Sequence, residues 1–424
     1  FMKSLKFPTS LLKFEKLKFK AAVIGAGPAG HAATSSLLEN DLFPILWIDP
    51  RFAGGRIPIY KNVPSNTKAK IFSKFVLDSK IYSAFVNTDL SPLEPLKGVD
   101  PEDTCQLQYA LEMLERLTFH INDKYQDKVV MVKDEVANLN HIFNEGAWQV
   151  SMKNHTSLLN TEKVILATGG HPRQLGINKL VQKKLPKEPK TIDLDVALDK
   201  YKISQEINEE DTIAVIGASH SAMVVLMNLD QLEKKPKRIH VFYRDQLKYA
   251  TYYDDWILYD NTGLKGKAAV WAKERFESDN VSNITRHYMP QGEGEQEVYE
   301  KVLPECTKII SAVGFERDPV PKISLTDQFG RKTEFEDNQI AFDQKNGKLS
   351  ARQGEEMIPL AGLYGMGIAF PEQVVDRMGN VENAVGMFKF LKTAKSQAEQ
   401  YKENLNTAAK AHQLKKKKLK LSHQ

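Results

Sequence analysis

Short, nearly uninterrupted apolar runs recur along the chain, and stretches of helical spacing separate them. Ala21-Ala-Val-Ile24, Pro44-Ile-Leu-Trp-Ile48, Lys163-Val-Ile-Leu-Ala167, Thr212-Ile-Ala-Val-Ile216, Arg238-Ile-His-Val-Phe-Tyr243 and Lys308-Ile-Ile-Ser-Ala312 are of the first kind. Such runs predict strands buried on both faces, as in a parallel sheet. The helical kind includes the Ala/Leu-rich segment ending at Leu38 and residues Pro101 to Leu117, with Leu107, Leu111, Leu114 and Leu117 on one face. Met223 to Leu232 and a segment through Val381, Val385, Phe388 and Leu391 follow the same period. Between Val129 and Val164 shorter alternating runs, Val129-Val-Met-Val and Ala147-Trp-Gln-Val-Ser-Met among them, predict a small antiparallel meander. The fold class is therefore α/β: two Rossmann-like three-layer dinucleotide-binding domains, the second inserted in the first, with a small antiparallel β-meander. The expected divisions are 19–172 and 307–395 for the first domain, 173–306 for the inserted one, and 396–424 for a tail.

The turn after the first run carries the chemistry. Gly25-Ala-Gly27-Pro28-Ala29-Gly30 is Gly-x-Gly-x-x-Gly between a strand and a helix. Gly25 permits the tight turn, Gly27 lets a pyrophosphate approach bare backbone, and Gly30 lets the helix lie close on the strand. Asp49, at the end of the second run, can accept the two hydroxyls of an adenine ribose. Arg51, Lys61 and Val136 are counted with these positions. The run ending Ala167-Thr168-Gly169-Gly170 brings small residues, and so backbone amides, near the same dinucleotide.

The pattern then repeats. Thr212 to Ile216 feeds Gly217-Ala-Ser219-His220-Ser221-Ala222, a second glycine turn and helix start, with serine at the second glycine position and alanine at the third. The following strand ends in Arg244 where an acid would stand for NADH; a guanidinium there can pair with a 2′-phosphate, which favours NADPH, the alternative being a surface arginine without a ligand. Ala312 and Gly314 repeat the small-residue strand end, and that strand is expected to return the chain to the first domain. Gly365-Met-Gly367 before Phe370-Pro371 reads either as a loop against a flavin's ribityl chain or as a plain turn. Residues 52–68, rich in Gly, Pro and polar residues, read as an extended loop, and a long loop beside a cofactor unit is usually functional.

Composition narrows the picture. At 424 residues, 42% hydrophobic and 27% charged, the chain has ample core for two or three domains and none of the bias of a disordered one. No apolar run is long enough to span a bilayer, and the basic, partly apolar first residues lack a secretory core. Only Cys105 and Cys306 are present, far apart, so no disulfide framework, redox pair or metal site is suggested, and a reducing, cytoplasmic setting is expected. The net charge of +5 is concentrated at Lys415 to Lys418 and Lys420, more simply a solvated tail than a nucleic-acid contact. His31, His171 and His220 each follow a glycine turn and are more simply satisfied by neighbouring backbone than catalytic.

With these pieces placed, residues 19 to 375 resemble the flavoproteins with two dinucleotide-binding domains, and within them most the flavin-containing and N-hydroxylating monooxygenases. Gly54-Gly55 followed by Tyr60-Lys-Asn-Val63-Pro-Ser-Asn66-Thr67-x-Lys is similar to that family's Tyr-x-x-Val-x-x-Asn-Thr-x-Lys loop. The resemblance implies FAD in the first domain and NADPH in the second, hydride transfer to the flavin, and oxygenation of a small molecule through a peroxyflavin. It places Asn66 over the flavin as the catalytic residue, and Gly217, Ser219, Ser221 and Ala222 on the NADPH turn. Two features depart from it: the Phe-x-Gly-x-x-x-His signature is absent from 174–198, where Ile192-Asp-Leu-Asp195 stands, and Gly365-Met366-Gly367 replaces a Gly-Asp pair. A reductase or oxidase that transfers no oxygen, and a non-catalytic FAD-binding sensor or scaffold, stay open beside the monooxygenase. The substrate pocket is expected among Tyr60 to Lys68, Tyr249 to Trp256 and the Phe370 loop, with the oligomeric state open.

Overall fold

The computed structural model describes residues 4–182, 185–278 and 280–402. Most of the expected tail, with all of its clustered lysines, lies outside them, as do Lys183 and Lys184.

Two parallel sheets carry the two glycine turns. In the first, the order is Ile340–Phe342, Lys348–Gln353, Glu356–Gly365, Val164–Leu166, Ala21–Ile24, Ile45–Ile48 and Val129–Val132. The five strands from Glu356–Gly365 onward run parallel; the first two form an antiparallel flap. The second sheet, all parallel, has the order Lys190–Ile192, Lys308–Ser311, Thr212–Ile216, Arg238–Tyr243, Ile284–Tyr288.

Strand alternation explains the layers. Ala21, Val23, Ile45 and Trp47 face helices Pro28–Glu39, Leu107–Lys124 and Met387–Ser396 in one core. Their neighbours Ala22, Ile24, Leu46 and Ile48 face a second, mainly antiparallel sheet that includes Val136–Ile142, Ala147–Met152 and Leu159–Thr161. The third layer of this unit is thus a sheet. In the second unit Ile213, Val215, Ile239 and Val241 face helix His220–Asp230, while Ala214, Ile216 and Phe242 face Tyr299 and Leu303.

Several expectations are corrected. Val129–Val132 belongs to the parallel sheet as its edge, because all four residues are buried and a meander strand would show one face to solvent. Lys308–Ser311 sits between Lys190–Ile192 and Thr212–Ile216, so the second sheet is completed beyond the expected 306/307 division. The chain crosses between the units on two adjacent strands, Gly170–Pro172 and Phe315–Arg317, which pair antiparallel. The helix expected from Pro101 starts at Leu107, since Thr104–Gln106 pairs with Pro64–Lys68. The latter strand and the turn Ile57–Tyr60 give structure to the expected loop. Val381 lies in a hairpin, Glu372–Val375 with Val381–Ala384, whose burial alternates; the helix begins at Met387.

His31 is a core residue. Its Nδ1 lies 3.1 Å from the Tyr82 hydroxyl and its Nε2 3.0 Å from Thr118 Oγ1, with Trp47 edge-on at 5.0 Å. Burial holds its pKa down from 6.5 to about 3. The neutral ring therefore stabilises the fold fully above pH 6.5, and that contribution is lost as pH falls toward 3, because only the unfolded chain takes up the proton. His31→Gln is expected to flatten the fall in melting temperature between about pH 7 and about pH 4, where the native residue contributes a slope of about 1.4 kcal/mol per pH unit. An equally steep acid limb in the variant would remove His31 from this role.

Candidate dinucleotide cradles and the seam between them

The first cradle is built on a contact that a side chain would forbid. Gly25, at φ +106°, lies so close to the Ala167 carbonyl that an added Cβ would be 2.2 Å from its oxygen. A Cβ on Gly30 would be 2.0 Å from the Gly25 carbonyl oxygen, which instead accepts the Trp47 indole N–H at 2.9 Å. Gly27 ends the turn as N-cap of Pro28–Glu39. The loop glycine Gly55 packs on it, its would-be Cβ 3.0 Å from Gly27 Cα, and Gly367 closes on the far side, its would-be Cβ 2.6 Å from Ala29 Cβ. Bare backbone at a helix N-terminus, walled by two further glycines, suits a pyrophosphate.

The second cradle repeats this geometry. Gly217, at φ +114°, faces the Ala312 carbonyl with a would-be Cβ distance of 2.3 Å. Its N–H donates to Phe242 O at 2.8 Å, as Gly25 N–H donates to Ile48 O at 2.8 Å. The N-caps match too: Gly27 at φ −80°, ψ −173° and Ser219 at φ −79°, ψ −174°. Since −79° is open to any residue, serine replaces glycine there without backbone strain. Ala222 is fully buried at the third glycine position, and the Ser221 backbone lies in the first turn of the helix.

Each cradle also holds a buried polar atom that a ligand could satisfy. Thr168 Oγ1, next to Ala167, and His220 Nδ1, in the first residue of the second helix, are shut from solvent without a hydrogen-bond partner. Burial, with Lys265 nearby, holds the His220 pKa down to about 4, so the ring is neutral. With the backbone approach at Gly27 and Gly55, these residues fit a bound dinucleotide.

Not all of the other expected residues lie at the cradles. Asp49 is at the first cradle but occupied: Oδ2 accepts from Ala26 N at 2.8 Å and Oδ1 from Arg51 N and Phe52 N at 2.7 and 2.6 Å, so it braces the turn. Arg51 donates to Gly55 O. Gly169 and Gly314, at φ +82° and +93°, stand at the two crossings, bonding Asp318 N and Arg173 N through their carbonyls. Gly365 sits under the Phe370 ring, and Met366 N donates to Leu166 O, which fixes Gly367. Val136 is buried between the two sheets of the first unit, so its side chain is not available to a ligand. Lys61 and Asn66 lie in the 57–68 segment, exposed; Asn66 Oδ1 accepts from Thr67 Oγ1. Arg244 is held by both oxygens of Glu295.

The seam joining the units was not foreseen. Arg56 and Tyr60 both bind Asp195 of the inserted unit, the tyrosine at 2.6 Å, and Asn62 donates to Asp199 at 3.0 Å. At the other end Glu382 accepts from Asn261 N and Thr262 N at 3.0 and 3.2 Å, and Lys389 pairs with Asp260 at 2.8 Å. Lys68 lies over the Tyr252 ring at 4.7 Å, which joins two of the segments expected around a pocket; Phe370 is instead buried on the far side of the first sheet, against Phe342. His171, half-buried at the crossing, is held by Asp318 at 2.6 Å and Glu316 at 3.1 Å, which raises its pKa.

The family model described as pyridine nucleotide-disulphide oxidoreductase matches residues 19–348. The chain belongs to that family. It is an FAD- and NAD(P)H-dependent oxidoreductase. Among characterised proteins it is 37% identical over 400 residues to Monooxygenase AgnR1 of Paecilomyces divaricatus, covering 89% of this chain and 96% of that one. Among solved structures, the ornithine N-hydroxylase KtzI of Kutzneria sp. 744, in complex with reduced FAD, NADP+ and L-ornithine, matches with a TM-score of 0.53 at 11% identity, over 91% of this chain and 99% of that one. The bacillithiol disulfide reductase Bdr of Bacillus cereus matches with a TM-score of 0.50 at 13% identity, over 91% and 98%. These two likenesses concern the fold of this oxidoreductase family alone. No described helix is long and apolar enough to cross a membrane.

Valine at Gly25 or Gly217 should separate the cradles. Gly25→Val is expected to yield protein without flavin, whereas Gly217→Val should keep its flavin and bind NADPH on the order of 100-fold more weakly. Flavin absorbance and coenzyme titration read the two; loss of flavin from Gly217→Val with coenzyme binding intact would reverse the assignment.

Proposed function

We propose that the chain is a flavin monooxygenase-like enzyme that uses NADPH and dioxygen to oxygenate a small organic molecule. The observation that carries this reading is the pair of matching glycine turns on one chain, together with the 37% identity to a monooxygenase along nearly its whole length. FAD would sit in the Gly25 cradle and NADPH in the Gly217 cradle. When bound, the flavin supplies the redox chemistry, taking hydride from the reduced nicotinamide and passing electrons to dioxygen.

The chain's own residues do the rest. Gly25, Gly27 and the N-terminus of Pro28–Glu39 hold the flavin pyrophosphate, and Ala167 to Gly169 and Gly367 wall the cradle. Gly217 to Ala222 hold the coenzyme phosphates through backbone N–H groups, with the hydroxyls of Ser219 and Ser221 beside them. Asn66 would offer its side-chain amide as a hydrogen-bond donor; Oδ1 is engaged by Thr67, and Nδ2 donates to no described residue. The Asp195 and Glu382 contacts hold the two units in register. A cytoplasmic setting is part of the proposal, in keeping with two free, buried thiols.

One observation favours a second reading, an NADPH-dependent reductase or oxidase. Where the resembled family has its Phe-x-Gly-x-x-x-His signature, this chain has Asp195 tied to Arg56 and Tyr60.

Anaerobic mixing with NADPH should bleach the yellow protein, and absence of bleaching would end both readings. On return of air, with no organic substrate present, both enzymes return about one equivalent of hydrogen peroxide and the rate separates them: a monooxygenase is expected to regain its yellow colour slowly, whereas prompt reoxidation establishes the oxidase.

A further inference from the structure

Arg244 follows the strand Arg238–Tyr243, two residues beyond Phe242, whose carbonyl closes the Gly217 turn. Its guanidinium meets Glu295 along one edge: Nε to Oε2 at 3.0 Å, and Nη2 to Oε1 and Oε2 at 2.9 and 2.7 Å. The pair is asymmetric, for the arginine side chain is 62% exposed and the glutamate only 17%. Glu295 opens the helix Glu295–Val302, and Tyr299, one turn on, faces the same carboxylate. The loop before it is shaped around the pair. Gln291, Gly292 and Gly294 all have positive φ, and a Cβ on Gly292 would lie 3.0 Å from Glu295 Oε2 and 3.7 Å from Arg244 Nε.

We infer that Glu295 tunes coenzyme choice at the Gly217 cradle by competing with a 2′-phosphate for the Arg244 fork. This rests on the reading that this cradle takes NADPH. Glu295 holds the Nε/Nη2 edge, so while the carboxylate stays a phosphate can reach only the neighbouring Nη1/Nη2 edge. A phosphate arriving at Arg244 must displace Glu295 or share the arginine with it, and two anions side by side repel. The arginine side of the pair is open to an arriving phosphate, since its side chain is 62% exposed. The consequence is a preference for NADPH over NADH that is smaller than Arg244 alone would give. Glu295 is then a specificity residue acting through Arg244.

The test titrates FAD-loaded full-length protein with 2′,5′-ADP and, separately, 5′-ADP by calorimetry. Glu295→Gln is expected to bind 2′,5′-ADP about tenfold more tightly, about 1.4 kcal/mol, with 5′-ADP changed by less than about twofold. Arg244→Ala should bind 2′,5′-ADP no more tightly than 5′-ADP, and adding Glu295→Gln to it should yield a much smaller gain than Glu295→Gln gives beside Arg244. Glu295→Asp, which keeps the charge but breaks the bidentate fit, should give a smaller gain and serves if Glu295→Gln does not fold. Unchanged or weaker 2′,5′-ADP binding in the Glu295 variants overturns the inference, the weaker result making Glu295 a support that orients Arg244. Failure of the unaltered protein to bind either ligand overturns the coenzyme reading of the cradle, and the inference with it.

Discussion

The structure depends on a missing atom. At Gly25 and again at Gly217 a strand-end carbonyl, that of Ala167 or Ala312, occupies the space a Cβ would need. That contact lets a strand, a turn and a helix N-terminus converge without side chains between them, and leaves N–H groups facing outward at the carboxyl end of a parallel sheet, where open α/β sheets bind their ligands. Everything near the first turn reinforces it. Trp47 donates to the Gly25 carbonyl, His31 packs on Trp47, and Asp49 draws Ala26, Arg51 and Phe52 N–H groups onto one carboxylate. Asp49 therefore acts first on the turn, and a ribose hydroxyl could use only its remaining lone pairs.

Two cradles on one chain are useful only if their mutual position is fixed. The two crossing strands alone would act as a hinge. Polar contacts at both ends of the seam restrain it: Arg56, Tyr60 and Asn62 with Asp195 and Asp199, and Glu382 and Lys389 with residues 260–262. Such contacts are individually weak where water reaches them. Glu382, only 6% exposed and accepting from two backbone N–H groups, is the better anchored of these.

What the sequence disclosed and what it hid follow from range. The strands bearing Gly25 and Gly217 were legible because burial on both faces writes a continuous apolar run and the turn demands glycine, both local signals. Val129–Val132 reads as a meander strand because a four-residue apolar run is too short to show a period, and only its burial on both faces and its pairing with Ile45–Ile48 decide. Lys308–Ser311 was legible as a strand and illegible in its membership, which again only pairing decides. Arg244 and Glu295 are 51 residues apart, Tyr60 and Asp195 135 apart, and no periodicity links such pairs. The one local hint was Asp195 itself, a carboxylate standing where the resembled family has another signature.

The family's description includes disulfide chemistry, and the two cysteines bear on whether this chain performs it. Both are free and buried, Cys105 in the strand Thr104–Gln106 and Cys306 just before Lys308–Ser311. Burial pushes the Cys105 thiol up to about 11, and burial with Glu305 nearby pushes Cys306 up to about 12. A thiol exchanges with a disulfide only as thiolate, and reactive cysteines sit in exposed, electropositive surroundings that lower the pKa. Neither residue has that setting, and they lie in different units of the fold. Cys105 and Cys306 therefore do not make the exposed, low-pKa dithiol that disulfide exchange requires.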